Sequence, residues 1–149
     1  MDRLEGPYRE YVTAQAVIAQ AAASALGLGA TDFFALNLIA LAGSLTAGEL
    51  ASRTGLSTGA VTRLIDRLEQ GGFVRRVPDA TDRRKVLVES IPDSDGRIEA
   101  VVAPPRDRLA EMFADYEPEQ LEVLFDYFTR ATIALREAAH DMLDRPKKV

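Results

Sequence analysis

Ser57, Thr58, Gly59, Thr62, Arg63 and Arg67 form a series of short polar and cationic residues, and Arg83, Arg84 and Lys85 form a second, wholly cationic set. The first set alternates with Val61, Leu64, Ile65 and Leu68, which recur at i, i+3, i+4 and i+7. That spacing puts the apolar residues on one face of a helix and the polar ones on the other. Short side chains let a helix backbone come close to base edges, and cationic ones reach bases or phosphates. The second set ends the turn-forming run Pro78-Asp79-Ala80-Thr81-Asp82. An exposed cationic tip suits a narrow minor groove, whose enhanced negative potential draws in arginine. The chemistry on offer is hydrogen bonding and ion pairing with a polyanion rather than bond making.

Bond-making chemistry has little to stand on. His140 is the single histidine, near the end of a helical pattern, where a solvent contact or an imidazolium at the helix terminus is the usual explanation. No Ser-His-Asp arrangement, metal-ligand cluster or phosphate-cradling glycine loop is recognisable, so no catalytic residue, metal or cofactor is expected. Glu117, Glu119 and Glu122 read as a solvated helix start rather than a general acid/base pair. Tyr8, Tyr11, Phe33, Phe34, Met112, Phe113 and Tyr116 could line a ligand cavity, but an apolar stripe of this kind is more often plain core.

The elements that must position the two sets are legible. Thr46 followed by Glu49 is a capping box, which satisfies two orphan N–H groups at the start of a helix. Leu50 and Ala51 supply its inward side, and Gly55 ends it with a left-handed residue. Ser57 caps the next helix, and Gly71-Gly72 stops it. Phe73–Val77 and Val86–Val88 have the β-branched composition of strands. Their alternation is imperfect and leaves the facing of each side chain open. Of Arg75 and Arg76, one is expected in solvent or a salt bridge, and Arg76 is carried as a phosphate contact.

Upstream, Tyr8 to Leu26 repeats apolar and alanine residues at helical spacing after a Gly6-Pro7 lead-in. Thr31-Asp32 reads as a capping pair that opens a buried helix, Phe33–Ala42, apolar nearly all round, with Asn37 as a core amide satisfied by neighbouring backbone. Downstream, Pro92, Asp93, Ser94 and Asp95 have helix-start composition. Pro104-Pro105 predicts a kink or break near Ala103. Pro118 restarts a helix to about Leu143, with Leu121, Leu124, Phe125, Phe128, Leu135, Ala139 and Met142 along a coiled-coil-like seam.

The chain has 149 residues and a net charge of −5, which looks unsuited to a polyanionic partner. Placement answers the objection. Between Arg53 and Lys85 eight cations face four anions, so this stretch is +4 and the remainder carries −9. A polyanion is then drawn to one module and repelled elsewhere, which orients the encounter. No cysteine is present, which excludes disulfides and thiol-based redox sensing. The residues after Met1 lack a basic and apolar leader, and no apolar run is long enough to span a bilayer, so a soluble cytoplasmic protein without membrane contact is expected.

The run Leu56-Ser57 through Val61 to Glu69, then Gly72-Phe73-Val74-Arg75-Arg76, then Asp79 through Asp82-Arg83-Arg84-Lys85, resembles the MarR family of transcriptional regulators. The pattern continues unbroken from Thr31 to Ile91. Gly59, a weak helix former, is a departure from it. The resemblance implies that Asp82 and Arg84 are the family's Asp-x-Arg signature, with Arg84 entering the minor groove and Asp82 orienting its guanidinium. It also implies a homodimer, and a small aromatic ligand between the dimer helices and the DNA-binding lobe; which residues would bind it is unknown.

The expected fold is mainly α with a small β-hairpin: a winged helix-turn-helix at 30–91, flanked by dimerisation helices at 8–26 and 93–145, in one chain of 1–149. Apolar surface on the outer helices, too extensive for the module to cover, independently favours a second copy. The function expected is a repressor that binds a pseudo-palindrome of double-stranded DNA as a homodimer. The rival readings are a winged-helix adaptor that binds an acidic protein and, with less support, a small hydrolase or isomerase.

Overall fold

In the computed structural model, which describes residues 2–93 and 95–143, the chain runs α1 (Asp2–Ala25), α2 (Ala30–Ala42), β1 (Ser44–Thr46), α3 (Ala47–Thr54), α4 (Thr58–Gln70), β2 (Val74–Pro78), β3 (Val86–Ser90), α5 (Arg97–Met112) and α6 (Pro118–Leu143), with a short 3-10 turn at Phe113–Asp115 before α6. It divides into two compact units, Met1–Val102 and Ala103–Val149. Ser94 and the last positions of the expected dimerisation region, 144–145, lie outside the described residues.

In the first unit the capping box at Thr46 is formed in full. The Glu49 N–H donates to Thr46 Oγ1 at 3.2 Å, and the Thr46 N–H donates to Glu49 Oε2 at 2.7 Å. Gly55 ends α3 at φ 69°, a conformation that costs an L side chain its Cβ clearance. Ser57 caps α4 through the Ala60 N–H. The apolar face of α4 goes inward as its spacing requires: Val61, Leu64, Ile65 and Leu68 are all buried, against Ile39 of α2, Leu50 of α3 and Val74 and Val88 of the sheet. Full burial of each such side chain contributes about 1.5–3 kcal/mol, so this cluster fixes where α4 sits.

The sheet has three strands, not the two of a hairpin, in the order β1-β3-β2, all antiparallel. The added strand is only Ser44-Leu45-Thr46, paired to β3 with Leu45 opposite Val88. In β2, Arg76 is the cross-strand partner of Val88 and lies two residues from buried Val74. Alternation therefore puts Arg76 on the sheet face that meets α4 and Arg75 on the other.

Several expectations need correction. α1 begins at Asp2 and runs through Gly6-Pro7, because a proline near a helix start forfeits a single hydrogen bond. Thr31 and Asp32 do not cap α2, which starts at Ala30 after Gly29 with no side-chain cap. Nor is α2 buried all round: Asp32, Phe33, Ala35, Leu36 and Ile39 face the core, while Phe34 and Leu41 are exposed. Asn37 is exposed rather than a core amide, although its Nδ2 does donate to the Phe33 carbonyl at 3.0 Å. α5 starts at Arg97, and the acids before it cap from outside, Asp93 accepting from the N–H groups of Ile98 and Glu99. Of the kink or break expected near Ala103, the break does not occur, since α5 continues from Arg97 to Met112. Pro104 and Pro105 lie inside it, since their fixed φ suits a helix and they vacate only two successive acceptors.

In the second unit α6 follows the expected bounds. Phe113 and Phe125 meet edge to face with centroids 5.5 Å apart. No residue of α6 is buried within the single chain, and Phe125, Phe128, Leu135 and Met142 of its seam are exposed.

Candidate nucleic-acid interface

With its apolar face spent on the core, α4 turns Thr58, Gly59, Thr62 and Arg63 to solvent, next to the exposed cap Ser57. The Thr62 hydroxyl donates back to the Thr58 carbonyl at 3.0 Å, leaving its lone pairs outward. A Cβ built on Gly59 meets nothing but the Arg63 guanidinium, at 3.8 Å, so this is the open middle of the helix surface. Arg63 has no ion pair among the described residues. This face can donate and accept hydrogen bonds, and its backbone is approachable.

Both flanks of α4 are pinned. On one, Arg67 binds Asp32 of α2 side-on, Nε to Oδ2 at 2.8 Å and Nη2 to Oδ1 at 2.6 Å. The hydrogen bond to Asp32 pushes the Arg67 guanidinium up from its ordinary value, so it stays charged. On the other flank, Arg76 of β2 donates to Asp66 Oδ1 at 2.6 Å and to the Glu69 carboxylate. These carboxylates raise the Arg76 pKa, the hydrogen bond to Asp66 contributing most. Arg75 pairs across the sheet with Glu89 at 2.6 Å. Both arginines of the pair are thus engaged, and the phosphate contact carried for Arg76 has to compete with two acids.

The wing between β2 and β3 is an ordered loop. Asp79 Oδ1 accepts from the Thr81 N–H at 2.7 Å, the Thr81 hydroxyl at 2.6 Å and the Asp82 N–H at 2.9 Å. The Thr81 hydroxyl, more than the two backbone N–H groups, holds the Asp79 carboxyl down at about 2. The loop closes through Asp79 N–H to the Lys85 carbonyl and Lys85 N–H to the Asp82 carbonyl, at 3.0 and 2.8 Å. Asp82 Oδ1 accepts from both the backbone N–H and Nε of Arg84, at 3.1 and 3.2 Å, while the Arg84 side chain is 92% exposed. Arg83 and Lys85 are exposed beside it. The tip presents a guanidinium tethered at one edge.

Three contributors do not stand out in the sequence. Asp32 reads there as a cap and Asp79 as an ordinary turn residue, and nothing marks Arg97, which stacks on Phe73 and donates to the Gly71 carbonyl at the end of α4. A charged residue inside an otherwise apolar helix is the available signal for Asp32. Of the aromatic stripe, Phe33 is core, and Tyr8, Tyr11, Phe34, Met112 and Tyr116 are exposed. Among the described residues no group of three or more His, Cys, Asp or Glu is placed to hold a metal ion, and no single helix is long and apolar enough to cross a membrane.

The MarR family model matches residues 26–85, the stretch that holds α4 and the wing tip. The chain is 38% identical over 130 residues to the uncharacterized HTH-type transcriptional regulator YcgE of Bacillus subtilis, covering 87% of this chain and 84% of that one. The crystal structure of transcriptional regulator Tm0710 from Thermotoga maritima has the same fold, with a TM-score of 0.65 at 24% identity over 93% of this chain and 97% of that one. A mutant MarR from E. coli, solved in complex with operator DNA, superposes with a TM-score of 0.53 at 25% identity, over 85% of this chain and 91% of that one.

Proposed function

The chain belongs to the MarR family of transcriptional regulators, and from that premise we propose that it is a repressor that binds double-stranded DNA as a homodimer. The observation that carries the reading is α4 itself. Its apolar face is wholly buried and its flanks are pinned, yet its outward face of Ser57, Thr58, Gly59, Thr62 and Arg63 is left open. Such a helix enters a major groove as a preset surface, with the wing's Arg84 in the adjacent minor groove, oriented by Asp82, and with Arg83 and Lys85 on the backbone. The solved complex of the E. coli MarR mutant with operator DNA supports the same use of this fold.

The dimer is supported by the apolar residues that a single chain leaves in water, Tyr8, Tyr11 and Val12 on α1 and Phe125, Phe128 and Leu135 on α6. A second copy is the economical cover, and a two-fold axis sets two copies of α4 on half-sites about one helical turn apart. A small aromatic ligand that prefers another spacing of the two helices shifts the population away from the DNA-competent one, and DNA weakens ligand binding by the same factor.

Selection of bound duplexes from a random pool tests the reading. A recovered pseudo-palindrome, bound with a steep salt dependence by a species that sediments as a dimer, is the expected result. No enrichment of any duplex, together with binding of an acidic protein through the same face, would transfer the site to protein recognition.

A further inference from the structure

Among the described residues Asp32 is the one charged or polar residue that is buried, and it meets a side chain of α4 that is not. Arg67, 35 positions away in sequence, gives Asp32 its Nε hydrogen and one from Nη2. Both hydrogens of Nη1 and the second on Nη2 find no acceptor among the described residues, and the side chain as a whole is 55% exposed. One edge of the guanidinium is therefore fixed against α2 and the other edge faces outward from the flank of α4.

We propose that Asp32 is a positioning residue for DNA binding, which holds Arg67 in the one orientation that turns its free edge toward a backbone phosphate beside the groove that α4 enters. This rests on the DNA-binding reading above and adds a residue of α2, away from the DNA, to it. A long arginine ordinarily loses rotamer freedom when it grips a phosphate; here the freedom is already gone, so the contact forms with less ordering. Phosphate does not replace Asp32 in the pair, because removal of Arg67 would strand a buried carboxylate without a partner. It joins the pair from the other side instead. Lysine cannot do the same, since a single ammonium has no second edge to offer.

A double-mutant cycle read against salt tests this, with the duplex selected for the wild-type chain and a thermal melt of each variant. Arg67→Ala is expected to flatten the dependence of log affinity on log salt by about 0.9 per chain, the signature of one lost phosphate contact. Arg67→Lys is expected to lose roughly tenfold in affinity despite its charge, and Asp32→Asn roughly tenfold with the salt slope kept. In the Arg67→Ala background Asp32→Asn is expected to cost nothing further, because Asp32 acts only through Arg67. Should Asp32→Asn fail to melt cooperatively, Asp32→Glu, which keeps the charge and shifts the carboxylate by one methylene, takes its place with the same expectation. A wild-type slope in Arg67→Ala, or an equal loss from the Asp32 substitution with and without Arg67, overturns the proposal. Failure of the wild-type chain to bind any duplex removes the DNA-binding reading itself, which is a different result from either.

Discussion

The guanidinium of Arg97 lies 4.2 Å from the centroid of the Phe73 ring, and the same side chain donates from Nη2 to the Gly71 carbonyl at 3.1 Å. A cation is thereby held against the C-terminal end of α4, where the helix dipole favours it, by the first residue of α5. Arg97→Ala removes a cation–π contact and a charge-assisted hydrogen bond at a partly open site, an expected loss of about 1–2 kcal/mol. A lower urea midpoint with an unchanged denaturant slope is the result that checks it. An unchanged midpoint would mean that the stack contributes nothing.

Two glycines of this region respond in opposite ways to the same substitution. A Cβ on Gly71 would stand 2.9 Å from Cδ2 and Cε2 of Phe73 and 3.3 Å from the Arg67 carbonyl, although the backbone there is ordinary right-handed helix. Gly71→Ala is expected to destabilise by about 1–3 kcal/mol through overpacking. Gly59, inside α4 and facing open space, gains helix propensity as alanine, about 1 kcal/mol of stability. If that face meets base edges, the added methyl also lowers duplex affinity. Thermal melts and duplex titrations of both variants decide; a Gly59→Ala protein that is stabilised and binds as before would place α4 farther from the bases.

Local chemistry is readable from the sequence and distant pairing is not. The Thr46-Glu49 box and the Val61-Leu64-Ile65-Leu68 stripe depend on neighbours three and four residues away, and both form as their spacing requires. Asp32 pairs 35 positions off, so in sequence it looks like the start of a helix. Strand β1 is three residues that become a strand only by lying along β3. The facing of Arg76 cannot be read either, because two adjacent arginines fit either phase of an alternating pattern; the register with Val88 fixes it. The Pro104-Pro105 pair does not by itself separate a kink from a break; with the rest of α5 helical, the chain passes through it without a break.

The wing has its own acid limit. Asp79 is held at about 2, below the ordinary 3.8, chiefly by the Thr81 hydroxyl and then by the N–H groups of Asp82 and Thr81. A depressed carboxyl contributes order to the folded loop that is complete above 3.8 and is lost as pH falls from there through about 2. Side-chain NMR titration of Asp79 is expected to show a midpoint near 2, and Thr81→Ala to move it upward. A midpoint near the ordinary value in the intact protein would show that the loop is not closed in solution. Asp79→Ala imitates the protonated state at neutral pH and is expected to weaken duplex binding without a shift in the melting temperature of the core.

Arg84 and Arg76 differ in what else they hold, and that difference predicts distinct phenotypes. The Arg84 side chain is 92% exposed and, among the described residues, tied only to Asp82, two residues away, so Arg84→Ala leaves the packed core untouched. Duplex affinity is expected to fall by roughly tenfold or more, with the far-ultraviolet spectrum and melting temperature unchanged. Asp82→Ala frees the guanidinium without removing it and is expected to cost less. Arg76 is engaged by Asp66 and Glu69, and its loss leaves two uncompensated carboxylates on one flank of α4. Arg76→Ala is therefore expected to lower stability by about 1 kcal/mol as well as affinity. Its affinity is expected to return in part when Glu69 is changed to Gln in the same chain, because repulsion of the phosphates rather than a missing contact is then the cause. Duplex titration of these variants, with Glu69→Gln combined with each arginine substitution, separates the two arginines. Rescue of Arg84→Ala by Glu69→Gln, or its absence for Arg76→Ala, would reverse the roles assigned to them.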